Sequence, residues 1–297
     1  MPGFDEQMKD LKAYILKNMK RFAVLCESTN QVLPFSYRGK EYVVKKQALE
    51  DGRLSPFWRM MRDVFGSSFQ KQRACMNTIC GLLEKNPHIP PARLVYADEE
   101  NKLQVFEKMP GNAWEPDEFP EGEHIAYQLG QFIGFHHGRS YEGFELPGAD
   151  GGSLKEKIMR YMEETISLHW NSGDGLDTCA REYFARLKEA DITCGDLSMI
   201  MADISANQFL FEGDRITACV DLDAYVLGPR AWELALIENC VMDMDSFKKG
   251  YEEYLEYPDI TKASGFYLFL MALGDIWGKE EMRRFLMRQG LLKETVQ

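Results

Sequence analysis

Apolar residues recur at Phe4, Met8, Leu11, Ile15 and Met19, the spacing of one helix face, so residues 4–21 read as an amphipathic helix. The period then shortens. RFAVLCES (21–28), QVLPFSY (31–37) and KEYVVKKQ (40–47) are strand-like runs, and RGK at 38–40 is a hairpin signal. Residues 52–85 return to a helical pattern, interrupted by GSS at 66–68. ARLVYADEENKLQVFEKM (92–109) reads as two strands around an acidic turn, and MPGNAWEPDEFPEGE (109–123) is a Pro/Gly-rich break. Beyond it the pattern is helical at 122–140, 154–171, 177–189, 230–241, 245–256, 262–277 and 279–291, with one exception at 199–223, which reads strand, loop, strand, strand. This pattern predicts an α+β chain in two lobes. The N-lobe spans 1–108, with the first helix, an antiparallel sheet and the helices of 52–85; a larger helical lobe spans 109–297 and holds the β insert. The last residues, 292–297, read as a fraying tail.

Composition narrows the classes of function. With 47 Asp and Glu against 35 Lys and Arg, the formal net charge is −12, which argues against nucleic acid as the main partner because phosphate binding needs a basic face. An acidic solvated surface explains this balance, and a cationic small substrate is compatible with it. The 7 cysteines form no CxxC and fit a reducing compartment. The charged start MPGFDEQMKDLKAYILKNMK is not a secretory signal, and the longest apolar run, GFYLFLMALG, is too short to span a bilayer. The expectation is a cytoplasmic protein without a membrane partner.

The β insert carries the candidate chemistry. In MADISANQFLFEGDRITACVDLDAY, Asp203 is followed five residues on by Gln208, with Asn207 beside it, and eighteen residues on by Asp221. The turn signal Gly213-Asp214 makes QFLFEGDRITACV a hairpin, which returns the chain and brings Asp203 and Asp221 together. Phosphoryl transfer from ATP needs a carboxylate to orient or deprotonate the acceptor hydroxyl, oxygen ligands for Mg²⁺, and a cation on the α/β-phosphates. Asp203 suits the first role and Asp221 with Gln208 or Asn207 the second. The strand EYVVKK suits the third; alternation puts Val43 and Lys45 on one face, so Lys45 is the candidate cation and Lys46 the alternative.

These pieces resemble the aminoglycoside phosphotransferase and choline kinase type of small-molecule kinase, which has a bilobal protein-kinase-like fold. MADISANQFLFEGDRITACVDLDAYVLGPRAWELA runs without a gap beside that family's His-Gly-Asp, five-later Asn, strand, turn, strand and Ile-Asp pattern. STNQVLPFSYRGKEYVVKK resembles its opening hairpin and lysine strand, LQVFEKMPG its hinge, and LGQFIGFHH its histidine-ended helix. The resemblance covers roughly residues 20–240. It implies a nucleotide loop at 27–31 with Ser28 and Thr29, and adenine at the hinge over 106–110 beside Phe106, Glu107 and Met109. It also implies ATP with Mg²⁺, and a small-molecule hydroxyl acceptor such as an aminoglycoside or other amine-bearing compound.

The chain departs from that pattern at several positions. Met201 stands where the loop histidine is expected, Gln208 where the metal asparagine is, Gly228-Pro229-Arg230 where the late Gly-Asp-Pro is, and Glu233 where the following Asp is. The nucleotide loop, Glu27-Ser28-Thr29-Asn30-Gln31, has no glycine cluster. The helix position that should pair with the lysine falls at Gln72-Arg73; Asp63 is the substitute nearby, and Asp221 itself is the acid that Lys45 is expected to lean on before nucleotide binds. His137 reads as a structural histidine, and Asp223 as a turn acid with a second metal or substrate role as the alternative. CGD at 194–196 imitates His-Gly-Asp but lies too far from Asp221, and reads as a loop. A nucleotide-binding pseudokinase remains the alternative. A protein-directed kinase is disfavoured, because no Ala-Pro-Glu segment separates Asp221 from the next helix.

Overall fold

The computed structural model describes residues 4–50, 53–148, 153–170, 175–189 and 196–292. The CGD motif, apart from Asp196, and the tail past 292 lie outside them. Helix α1 (Phe4–Asn18) follows the predicted period and buries Leu11 and Ile15 against an antiparallel sheet. That sheet joins β1 (Cys26–Glu27), β2 (Asn30–Tyr37), β3 (Lys40–Gln47), β4 (Leu94–Asp98) and β5 (Leu103–Glu107) in the order β1-β2-β3-β5-β4. The β2–β3 hairpin turns at Arg38 and Gly39, both at positive φ (51° and 78°), as a two-residue turn between twisted strands requires. Alternation along β3 sends Tyr42 and Val44 into the core under α1 and turns Lys45 to the opposite face.

RFAVLCES forms far less strand than its composition predicts. Residues Met19–Arg21 close a 3-10 turn, only Cys26–Glu27 pair with β2, and Val24 and Leu25 stay 51% and 69% exposed. An edge pairing two residues long cannot bury a run of apolar side chains.

GSS breaks the next helical stretch as predicted, into α2 (Pro56–Phe65) and α3 (Phe69–Leu83), with Gly66 closing the first and the Ser68 hydroxyl capping the second. The apolar face of α2 joins the helical core below the cleft; Tyr161 donates to the Pro56 carbonyl at 2.9 Å and Arg59 to Thr165 at 3.1 Å.

The larger lobe comprises α4 (Glu123–His137), α5 (Leu154–Leu168), α6 (Leu176–Glu189), α7 (Arg230–Cys240), α8 (Met244–Tyr251), α9 (Thr261–Leu273) and α10 (Gly278–Arg288). Helices α4 and α8 touch backbone to backbone. A Cβ on Gly130 would lie 2.0 Å from the Phe247 carbonyl oxygen, and one on Gly250 2.1 Å from that of Tyr127, so only glycine fits.

The β insert holds β7 (Leu197–Met201), β8 (Phe209–Glu212) and β9 (Arg215–Cys219), with a short β6 (Asn112–Ala113) beside β8. It also holds β10 (Tyr225–Pro229), which pairs with β7 along its full length and corrects the reading that the insert stops at 223. Gly228-Pro229 looks like a break, but among the described residues β7 is the one strand that pairs with β10, whose other side carries only a single bridge to Gly148, and such an edge tolerates a proline.

Candidate active site

Three elements aim charged side chains into one cavity of about 370 Å³. Strand β3 supplies Lys45 from above. The loop after β7 supplies Asp203, and the end of β9 supplies Asp221 and then Asp223. The β8–β9 hairpin produces the predicted convergence; Val220 N–H donates to the Gln208 carbonyl at 2.9 Å and ties its two ends together.

The Asp203 loop is fixed from below. Met201 N–H donates to Glu233 Oε1 at 2.7 Å, His137 Nε2 lies 2.8 Å from Glu233 Oε2, and His137 Nδ1 lies 3.0 Å from the Tyr251 hydroxyl. Trp232 Nε1 donates to the Ala202 carbonyl at 3.0 Å. Both ring nitrogens of His137 are thus engaged, in line with its structural reading. The loop also clasps itself. Gln208 Nε2 donates to the Asp203 carbonyl at 2.9 Å, and its Oε1 accepts Ser205 N–H at 3.0 Å. Asn207 donates to Asp117 at 2.8 Å and accepts from the Ser205 hydroxyl at 2.9 Å. The amides expected at the metal are therefore both held within or beside the loop.

Lys45 Nζ lies 2.7 Å from Asp221 Oδ1 and 3.4 Å from Asp223 Oδ2. Asn30, at the start of β2, donates to the same Asp223 oxygen at 2.9 Å. Burial alone would lower the Lys45 pKa, but the charges of Asp221 and then Asp223 outweigh it and raise it. Loss of solvent at the cleft walls opposes ionisation of Asp221, yet the Lys45 ammonium more than offsets it, and this carboxyl lies below its ordinary range. Asp223 goes the other way: burial, with Asp221 as a like-charged neighbour, exceeds the pull of Lys45 and raises its pKa. Burial, followed by the charge of Asp221, pushes the Asp203 carboxyl up to about 7, and Asp203 Oδ1 has no hydrogen-bond partner in the protein.

The other expected positions divide. Ser28 and Thr29 line the cavity. Thr29 is pinned by Trp58 Nε1 at 2.7 Å on its hydroxyl and by the N–H groups of Ala48 and Leu49, at 2.9 and 3.1 Å, on its carbonyl. Phe106 is buried in the core, Glu107 pairs with Arg93 at 3.0 Å, and Met109 packs half-buried on the helical core; none of the three side chains lines this cavity. Asp63 pairs with its neighbour Arg62 at 2.7 Å and Arg73 with Glu99 at 3.2 Å, while the partners of Lys45 are Asp221 and Asp223. Sequence reasoning missed Asp117 and Trp58. Asp117 comes from the Pro/Gly-rich break, where an acid carries no periodic signal, and Trp58 reads there as one more apolar residue of α2.

Among the described residues no three His, Cys, Asp or Glu side chains form a ready metal cage. Mg²⁺ does not need one, because it binds through one or two carboxylates, phosphates and retained waters. Asp221, half open to the cavity, and Asp223 supply such hard oxygen donors, so the residues fit this ion.

A profile described as the phosphotransferase enzyme family matches residues 36–265. Solved structures share the fold at low identity. Macrolide 2'-phosphotransferase MphH from Brachybacterium faecium is 14% identical, with a TM-score of 0.59 over 92% of this chain and 97% of its own. The GDP complex of aminoglycoside 2'-phosphotransferase-IIIa is 16% identical, with a TM-score of 0.61 over 94% and 97%. Choline kinase LicA from Streptococcus pneumoniae is 13% identical, with a TM-score of 0.55 over 96% and 93%. No curated protein sequence matches the chain. The architecture is the bilobal, protein-kinase-like one. Among the described residues no helix is long and apolar enough to cross a membrane.

Proposed function

The chain belongs to the phosphotransferase enzyme family, and from that premise we propose that it moves the γ-phosphoryl group of ATP onto a hydroxyl of a small molecule. The observation that supports this reading best is the meeting of Asp203, Asp221 and Lys45 around one cavity. Asp203 orients the acceptor hydroxyl and takes its proton; a pKa near 7 keeps it basic enough to accept and ionised enough to act near neutrality. Lys45 leaves Asp221 for the α/β-phosphates. Asp221 and Asp223 would hold Mg²⁺, which would supply positive charge against the phosphate oxygens. Among the described residues, Asp117, Asp203, Asp221, Asp223 and Asp275 line the cavity against one lysine, Lys45, which favours an amine-bearing acceptor. Most of the rate comes from positioning and fixed charge, with no covalent intermediate on the protein.

The test is ATP consumption over a panel of aminoglycosides, choline-like amines, amino alcohols and neutral sugars, with Asp203→Asn as the control. Turnover confined to neutral sugars would remove the amine preference. One observation favours the second reading, nucleotide binding without transfer: both Asn207 and Gln208 amides are engaged in the loop. Nucleotide-dependent thermal protection without turnover on any acceptor would establish that reading.

A further inference from the structure

Lys45, Asn30 and Asp223, already engaged with one another, also line a second chamber, of about 20 Å³. Its lining is completed by Phe69, Arg73 and Lys102 and the two amides Gln72 from α3 and Gln104 from β5. Both glutamines are buried, at 2% and 4% exposure. Gln72 Nε2 donates to the Ser67 hydroxyl at 2.8 Å, which fixes the side chain and leaves its oxygen over. Neither Gln72 Oε1 nor Gln104 Nε2 has a hydrogen-bond partner in the protein. A buried acceptor and a buried donor left over at the same chamber is a costly arrangement unless something joins them. The space suffices for one water, and a water with two to four polar partners is the usual tenant of such a site.

The geometry points to a structural water held between Gln72 Oε1 and Gln104 Nε2, and to Gln72 as a positioning residue for Lys45 through that water. The water donates to Gln72, accepts from Gln104 and accepts one N–H of the Lys45 ammonium. This inference rests on the phosphotransferase reading above. It supplies what α3 lacks: a neutral amide and a water stand where a carboxylate would otherwise hold the lysine. The consequence appears when Lys45 gives up Asp221 to reach phosphates. An ammonium has three donors. One goes to phosphate and one stays with Asp223, and the water occupies the third, so the flexible stem remains aimed.

A crystal structure of the nucleotide-free protein near atomic resolution tests the site itself. A density peak within hydrogen-bond distance of Gln72 Oε1 and Gln104 Nε2 is expected; a dry chamber, or direct pairing of the two amides, overturns the proposal. Titration calorimetry with Mg²⁺ and ATP tests the role. Gln72→Leu, which displaces the water, should weaken ATP binding about tenfold, the scale of one hydrogen bond to a charged group. Gln72→Glu, whose carboxylate reaches the ammonium directly, should restore affinity to within about threefold of wild type. Equal affinity in Gln72→Leu and wild type, or equal losses in both variants, overturns the positioning role. If Gln72→Leu fails to fold, Gln104→Leu carries the same expectation from the sheet side. Failure of the wild-type protein to bind ATP would instead count against the proposed function, and the chamber's water would still be read from the crystal.

Discussion

The Glu233 carboxylate accepts the backbone N–H of Met201 at 2.7 Å and at the same time meets His137 at 2.8 Å, with all three residues buried. A loop that lacks the expected histidine side chain at 201 is thereby fixed through its backbone. Glu233→Ala leaves the Met201 N–H and one His137 nitrogen without partners and should cost about 3 kcal/mol in urea unfolding. A loss under about 1 kcal/mol would show that the loop does not depend on this carboxylate. Met201→His should not improve the site. Met201 is fully buried among apolar groups, and an imidazole there should cost about 1–3 kcal/mol for want of a partner.

Asp203 predicts opposite effects on rate and stability. Asp203→Asn should keep ATP binding and lower transfer by about 10²–10⁴. Its folded pKa of about 7 lies above the ordinary 3.8, so its contribution to stability is intact below pH 4 and lost as pH rises through 7. At pH 8, metal-free Asp203→Asn should therefore be more stable than wild type by about 1–2 kcal/mol, a figure discounted because the carboxyl opens onto the cavity. The gain should vanish near pH 4. Thermal melts at both pH values check it, and a gain independent of pH would rule out the carboxyl's ionisation as its source.

Lys45 and Lys46 separate cleanly. Lys45→Ala should raise the ATP dissociation constant by at least about tenfold, the scale of a charged hydrogen bond, while Lys46→Ala should change it less than about twofold. The reverse ranking in a binding titration would assign the phosphate contact to Lys46.

Asp221→Ala should weaken Mg²⁺-dependent ATP binding while leaving metal-free binding nearly unchanged. Calorimetry with and without Mg²⁺ checks this, and equal affinities at saturating Mg²⁺ would take Asp221 out of the metal site.

His136 sets an acid limit on stability. It is buried behind the β7–β10 pair, with Tyr141 on Nδ1 at 2.9 Å, and burial lowers its pKa from 6.5 to about 3. The unfolded chain takes up a proton below pH 6.5 and the folded one does not, so stability is full above 6.5 and falls as pH drops. The loss should be about 2 kcal/mol between pH 7 and pH 5. Chemical denaturation of wild type and His136→Gln at these pH values checks it; equal slopes would acquit His136.

Much of this site was legible along the chain because its parts are local. The period of α1, the Arg38-Gly39 turn, the GSS break and the Gly213 turn are each written in a few adjacent residues. The convergence of Asp203 and Asp221 follows from hairpin geometry alone, and so does the face of β3 that carries Lys45. The strand β10 was hidden because Gly228-Pro229 is turn-like in isolation and becomes strand only beside β7. Gln208 shows a different limit. Its spacing from Asp203 suits a metal amide, but the same five-residue span lets it bond the Asp203 carbonyl, and spacing cannot tell these apart. Asp117 bonds a partner 90 residues away, and only packing reveals which surface it faces.

Because α4 and α8 meet at Gly130 and Gly250 with no side chain between them, that seam has almost no compliance. Helix α4 ends in His137 and α8 ends in Tyr251, and these two residues are hydrogen-bonded to each other. The floor under Asp203 is thus set by backbone contact, which cannot relax by changing a rotamer. The opposite wall meets this floor through side chains, Lys45 to Asp221 and Asn30 to Asp223, and also through the backbone bonds that Pro90 and Ala92 make with Cys219.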